Sequence, residues 1–252
     1  MSVYKYFGIF LALTVGATVQ AQQCRLDLKL GMVDDWPPQT YFDNGKAAGL
    51  DIEIAKKVLG SINVCLTYVK LPSSARALEQ MDSGQIDMAV MVSYTPQREK
   101  YGYFSIPYRH EKMRLFSLLP AQPIENIAQL LDEAKTIGLS IGSFYGEELA
   151  SLARSPKYQE QLVGISSASR RSDMLAKKRV DFIIDDQITG LYITKTQGHD
   201  QIKLWPYVVH DNEVHILLRR TQQNQALMNE INLAITKLKP EIDELVAKYT
   251  HN

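Results

Sequence analysis

The chain reads as an α/β protein of two similar lobes with a hinge of two crossings, and three observations carry that reading. A helix-then-strand design occurs twice. Residues 73–92 run from a short helix through Gly84 into the apolar strand Met88-Ala89-Val90-Met91-Val92, and residues 172–185 run through Val180-Asp181 into Phe182-Ile183-Ile184. A helix feeding an all-apolar strand marks a parallel sheet covered on both faces, so two distant copies predict two lobes. Two strand-like stretches, 112–119 and 214–218, stand where the chain can pass from one lobe to the other and return. The expected division is residues 22–110 and 210–252 in lobe I and residues 111–209 in lobe II.

Residues 1–21 carry one lysine, an apolar run from Phe7 to Val19 and small residues before a cut after Ala21. That is the pattern of a cleaved secretory signal peptide, too short for a spanning helix, and it predicts export to the periplasm. Removing it leaves 231 residues with 27 basic against 28 acidic side chains. Such a balance calls for neither nucleic acid nor an anionic membrane, and Arg170-Arg171, Lys177-Lys178 and Arg219-Arg220 read as solvated faces. The two cysteines, Cys24 and Cys65, precede the strand-like segments 26–30 and 66–69. An even pair in an exported protein predicts a disulfide, and neighbouring parallel strands would bring the two starts together.

The elements follow in order. A strand over 26–33 leads to a loop with Trp36-Pro37-Pro38, and Gly49 opens a helix whose Ile54, Ala55, Val58 and Leu59 share one face. A strand over 64–69, a helix capped by Ser73 or Ser74 and the strand over 86–92 complete the first unit. The second unit expects a helix over 125–133, a strand over 136–141, a helix over 146–153, a helix over 172–178 and the strand over 180–184. A strand over 202–205 precedes the return crossing, and two helices, about 223–238 and 240–249, are parted by Pro240 at a first helical position.

Ligands of open α/β sheets bind beyond the carboxyl ends of the strands, so the two copies point to their own ends. The first leads to Thr95-Pro96-Gln97-Arg98, which reads as a helix N-terminus where a carboxylate is welcome. Arg98 can add a bidentate fork there or pair with Glu99 at the surface. The second leads to Asp185-Asp186, which can accept from an ammonium or cap the helix that follows. An anion site facing a cation site describes a binder of small zwitterions, an amino acid being the simplest. Trp36 is either a wall of the cleft or core. Gly138-Leu139-Ser140-Ile141-Gly142 matches a nucleophile elbow in letters alone, because the serine falls within the expected strand. The five histidines lack metal-ligand spacing, so no metal, cofactor or catalytic residue is expected.

The blocks Gly49-Leu50-Asp51-Ile52-Glu53-Ile54-Ala55, Ser83-Gly84-Gln85-Ile86-Asp87, Ser93-Tyr94-Thr95-Pro96-Gln97-Arg98 and Phe104-Ser105-Ile106-Pro107-Tyr108 resemble the family 3 periplasmic solute-binding proteins of amino-acid ABC transporters. The resemblance implies the type II periplasmic binding protein fold, a monomer, an amino acid-like ligand and an inner-membrane ABC permease as partner. It implies that Arg98 holds the ligand's carboxylate with Ser93, that Asp186 holds its amino group, and that Trp36 packs on it. Ser143 and Phe144 match a polar pair of the second lobe. Phe144 stands where threonine is common, Ser74 where many members have an aromatic, and Met91 where serine is frequent, so the side-chain pocket departs from the family pattern. Arg76 either lends the cleft a charge or lies on a solvated helix face. The same fold also serves as ligand-sensing modules and as a few periplasmic enzymes such as cyclohexadienyl dehydratases.

Overall fold

The computed structural model describes residues 24–250, so the expected signal peptide lies outside the described residues. Strand β1 (Leu26–Val33) is followed by a small antiparallel sheet of β2 (Asp35–Trp36), β3 (Thr40–Asp43) and β4 (Lys46–Ala48). Helix α1 (Leu50–Ser61), β5 (Val64–Leu71), α2 (Ser74–Asp82) and β6 (Met88–Ser93) complete the first unit. The Ser73 side chain caps α2 by accepting from the Arg76 N–H at 3.3 Å. A disulfide joins Cys24 to Cys65, with Cα atoms 5.7 Å apart. The parallel pairing of β1 with β5, Leu26 opposite Val64, sets the two cysteines side by side.

After a single 3-10 turn at Pro96–Arg98 and the short β7 (Gly102–Phe104), the chain enters β8 (Arg109–Ser117). The second unit contains α3 (Ile127–Asp132), β9 (Ile137–Leu139), α4 (Gly146–Arg154), β10 (Leu162–Gly164), α5 (Ala168–Ala176), β11 (Phe182–Asp186) and α6 (Gln187–Thr196). Strand β12 (Lys203–Arg219) returns, and α7 (Gln222–Lys237) and α8 (Lys239–Thr250) pack on the first lobe. Among the described residues no helix is long and apolar enough to cross a membrane.

The main sheet has the order β10-β9-β11-β8-β12-β6-β1-β5. At one end β10, β9 and β11 are parallel, and at the other β6, β1 and β5 are parallel. Between them β8 and β12 run antiparallel to each other and to their neighbours. The two lobes therefore share one continuous sheet, whose middle pair is the hinge. The expected boundaries at residues 110 and 210 fall inside these two strands.

Each lobe has its own core. In the first, Leu30, Leu50, Ile54, Val58 and Met88 meet Ile216, Ile231 and Ile235 from the return strand and α7. In the second, Phe182 sits edge-on to Trp205 at 4.8 Å, with Leu115, Leu130, Ile137 and Ile184 around them. Full burial of such side chains contributes about 1.5–3 kcal/mol each.

Three expectations change. The helix placed at 172–178 begins at Ala168, because Ser167 caps it by accepting from the Arg170 N–H at 3.0 Å. The strands expected at 202–205 and 214–218 are one strand, continuous through the polar residues 210–213 because β8 pairs with them. Thr95-Pro96 opens only one 3-10 turn, and the Thr95 side chain caps nothing. No helix dipole is aimed at the cleft from there.

Candidate functional site

The site begins where β6 ends. Met91 takes a left-handed backbone conformation, φ 56°, and its N–H donates to the Tyr108 hydroxyl at 2.9 Å. The ladder to β12 shifts register nearby, between His215 and Leu217, so the strand bends and brings Ser93, 3% exposed, to the cleft. The 3-10 turn then folds Arg98 back over it. Arg98 Nη1 donates to the Ser93 carbonyl at 2.8 Å and Nη2 to the Gly142 carbonyl at 3.0 Å. Burial lowers the guanidinium pKa and Glu111 opposes that shift. An arginine stays charged regardless.

Gly142 belongs to the other lobe, in the loop after β9. Its φ of 86° suits glycine, and a Cβ there would lie 2.3 Å from the Ala75 backbone nitrogen on α2. Only glycine lets the two lobes touch at this point. Ser143 and Phe144 follow it into the cleft, and Phe144 is set edge-on against His210 at 5.4 Å. The Ser140 N–H donates to the Tyr145 hydroxyl at 2.8 Å, while the buried Ser140 Oγ has no hydrogen-bond partner among the described residues. A nucleophilic serine needs a base on that oxygen.

These groups surround a cleft of about 700 Å³, part of it open to solvent. Ala77, Leu78, Val90, Met91, Val92, Met113, Trp36 and Phe144 make most of its wall apolar, and Thr40, Ser74, Ser93, Arg98, Glu111 and Ser143 supply its polar groups. Trp36 is both wall and core: it lines the cleft, packs on Ala168 and Ile193 of the second lobe, and lies 5.3 Å from the Arg171 guanidinium. Arg76 is not among the lining residues; it pairs with Glu79 at 2.5 Å on the exposed face of α2.

The two acids at the end of β11 have other partners. Asp185 takes Arg171 bidentately, Nε to Oδ2 at 2.9 Å and Nη2 to Oδ1 at 2.8 Å, both side chains fully buried. Asp186 caps α6, its Oδ1 accepting from the N–H groups of Ile188 and Thr189 at 2.9 and 3.3 Å. The same oxygen accepts from Gln39 Nε2 of the first lobe at 2.5 Å. Burial pushes the Asp186 pKa up to about 6, against the pull of Arg109 and the two N–H groups. A further contact between lobes joins Asp35 to Ser167 and Ser169, whose Oγ donates to Oδ1 at 2.8 Å.

Sequence reading missed Glu111. It lies on β8, 3% exposed, and lines the cleft. Asn212 on β12 donates to its Oε1 at 3.0 Å. Burial pushes its pKa up to about 8, with Asp186 and Asp51 adding to the rise and Arg109 and Asn212 opposing it. A signal was present: Met113 and Leu115 face inward, and the period of two carried back along the strand puts Glu111 and Arg109 on the same buried face. Arg109 is held there by Asp51 through two bonds of 2.8 Å, with Tyr108 also donating to Asp51 at 2.5 Å.

Residues 28–252 match the family described as bacterial extracellular solute-binding proteins, family 3. This chain belongs to that family. The family 3 chain is 22% identical over 228 residues to the probable amino-acid-binding protein YxeM of Bacillus subtilis, covering 88% of this chain and 83% of that protein. It is 32% identical over 108 residues to the cyclohexadienyl dehydratase of Pseudomonas aeruginosa, a match spanning 39% of this chain and 40% of the enzyme's length. Among solved structures, the substrate binding protein of an amino acid ABC transporter superposes with a TM-score of 0.73 at 22% identity, covering 90% of this chain and all of that one. The fold is thus the two-lobed periplasmic binding protein fold. Of the residues expected at the ligand, Arg98, Ser93, Trp36, Ser143 and Phe144 converge on the cleft, while Asp186 and Arg76 are not among its lining residues.

Proposed function

We propose that this chain is an exported, monomeric binding protein that captures a small amino acid-like solute in the cleft and delivers it to an inner-membrane ABC permease. The observation that carries the reading is Arg98: a charged fork held in the cleft by two neutral carbonyls, one from each lobe. Carbonyls leave its charge uncompensated, so a carboxylate gains both the Coulombic attraction and the charge-assisted hydrogen bonds. Ser93 and Ser143 supply polar contacts, and Trp36 and Phe144 supply apolar walls. Asp186, through Gln39, acts on closure of the lobes. Cleavage after Ala21 places the mature chain in the periplasm.

A thermal-shift screen over amino acids, oligopeptides and polyamines tests the reading, since a ligand at 100 times its Kd adds about 2.7 kcal/mol of stability. Uptake of the solute found, measured in cells with and without this chain, tests delivery to a permease. Unchanged uptake together with a ligand-dependent signalling partner would replace transport by sensing.

Glu111 favours a second reading, that of a periplasmic dehydratase, because a carboxyl that keeps its proton up to about pH 8 in a ligand cleft is equipped as a general acid. Incubation with prephenate or arogenate, with product followed over time, decides between turnover and capture.

A further inference from the structure

The cleft contains one carboxyl among its described lining residues, and it is Glu111. That side chain stands where the two crossing strands meet: Glu111 of β8 lies directly opposite Asn212 of β12. Among the described residues one hydrogen bond reaches it, from Asn212 to Oε1, and a carboxylate can accept several. Asp186, by contrast, already gives its Oδ1 to three N–H donors. Asp186 is also absent from the residues that line the cleft, whereas Glu111 is among them.

Resting on the binding-protein reading above, we propose that Glu111 accepts the ligand's ammonium while Arg98 holds its carboxylate, so that the cleft takes amino acids with apolar side chains. The apolar part follows from what lies around the two charges: Leu78, Val92, Met113 and Phe144 line the same space, and a third charge on the ligand would find no described counter-ion there. The ammonium part follows from burial and sign. The charged groups acting on Glu111 are Arg109 on its own strand, Asp186 at the end of β11 and Asp51 on α1, with Arg98 across the cleft. With those neighbours alone Glu111 retains its proton at neutral pH. An ammonium in contact favours the carboxylate, so the carboxyl gives its proton to solvent as the ion pair forms.

Calorimetry at pH 7 in buffers of different ionisation enthalpy reads both halves of the proposal. The probes are L-leucine and L-phenylalanine, with 4-methylpentanoate and 3-phenylpropanoate as counterparts that keep the carboxylate and side chain and lack the ammonium. At least one amino acid should bind roughly 100-fold tighter than its counterpart, with release approaching one proton per ligand. Glu111→Gln should abolish the proton release and most of that preference. The wild-type comparison stands if the variant fails to fold. Equal binding of amino acid and counterpart, or unchanged affinity in folded Glu111→Gln, overturns the proposal. If all four probes fail while another solute of the wider screen binds, the capture reading stands and this one falls; if nothing binds in either panel, both fall.

Discussion

The two helix-then-strand units end in opposite ways. Strand β6 delivers Arg98 to a place where its two partners are carbonyl oxygens. Strand β11 delivers Asp185 to a buried arginine and Asp186 to a helix N-terminus and an amide. Both ends carry charge, but among the described residues only Asp185 is hydrogen-bonded to a counter-ion, while Asp186 is engaged by a helix end and an amide and Arg98 by two carbonyls at the cleft. What separates Asp185 from Arg98 is Arg171 on α5, which reaches it as a doubly bonded counter-ion. A charged group at a strand end stays available to a ligand when its neutral partners leave it facing the cleft, as with Arg98, and is taken up by the fold when a counter-ion or a helix end reaches it, as with Asp185 and Asp186.

The sharpest way to break this contrast is Asp185→Ala. It leaves Arg171 buried without its partner, and the expected loss is about 3–5 kcal/mol in urea unfolding; a loss below about 1 kcal/mol would put the two strand ends on the same footing. Arg98→Ala should do the reverse. Its carbonyl partners can turn to water in the cleft, so the unfolding midpoint stays close to wild type, while affinity for the solute found by screening falls by about 2–5 kcal/mol. Arg98→Lys should recover little of it, because a point charge does not replace the fork.

A pH series sharpens the comparison further. Burial holds Glu111 at about 8 and Asp186 at about 6, above their ordinary values of 4.5 and 3.8. Both folded values lie above the unfolded ones, so the stability linked to these groups is complete below about pH 4 and is lost as pH rises through about 6 and then about 8. Glu111→Gln should flatten the upper part of that decline, and Asp186→Asn the lower part. A stability that rises over this range would contradict the burial of both groups. The smallest effect is expected from Gly142→Ala, whose added methyl meets the Ala75 backbone. Small-angle scattering should register a slightly larger radius of gyration; an unchanged one would mean that the lobes approach without that contact.

Much of the architecture was legible because it depends on local pattern. Apolar runs, a glycine stop and a serine cap place β6, α2 and β11 to within a few residues, and the parallel starts of β1 and β5 explain how Cys24 comes to lie beside Cys65. The fate of individual charges was less legible. Asp185 meets an arginine 14 residues upstream, and that spacing is no motif; only the packing of α5 on β11 makes the pair. Glu111 was passed over because the expected strand began at residue 112, whereas the strand starts at Arg109 and its alternate members Arg109 and Glu111 face the interior. Thr95-Pro96 carried the letters of a helix start, but Arg98 turns back to the Ser93 carbonyl and the helix goes no further.

The hinge itself has a mechanical consequence. Strands β8 and β12 are bonded to each other between the lobes, Arg109 opposite Val214 through Met113 opposite His210, so the connection is a two-stranded ribbon and not a pair of independent tethers. Hydrogen bonds fix the spacing of the strands, which makes the ribbon stiff against sliding and shearing in its own plane and soft to twisting and to bending out of that plane. Its ladder is interrupted between Leu204 and Val208 and between Val208 and His210, and a strand bends and twists more where its ladder is disrupted. Rotation of the lobes should therefore be taken up near the interruption between Val208 and His210, where the second lobe's core ends, while the amides of the regular stretch beyond it keep their protection from hydrogen exchange.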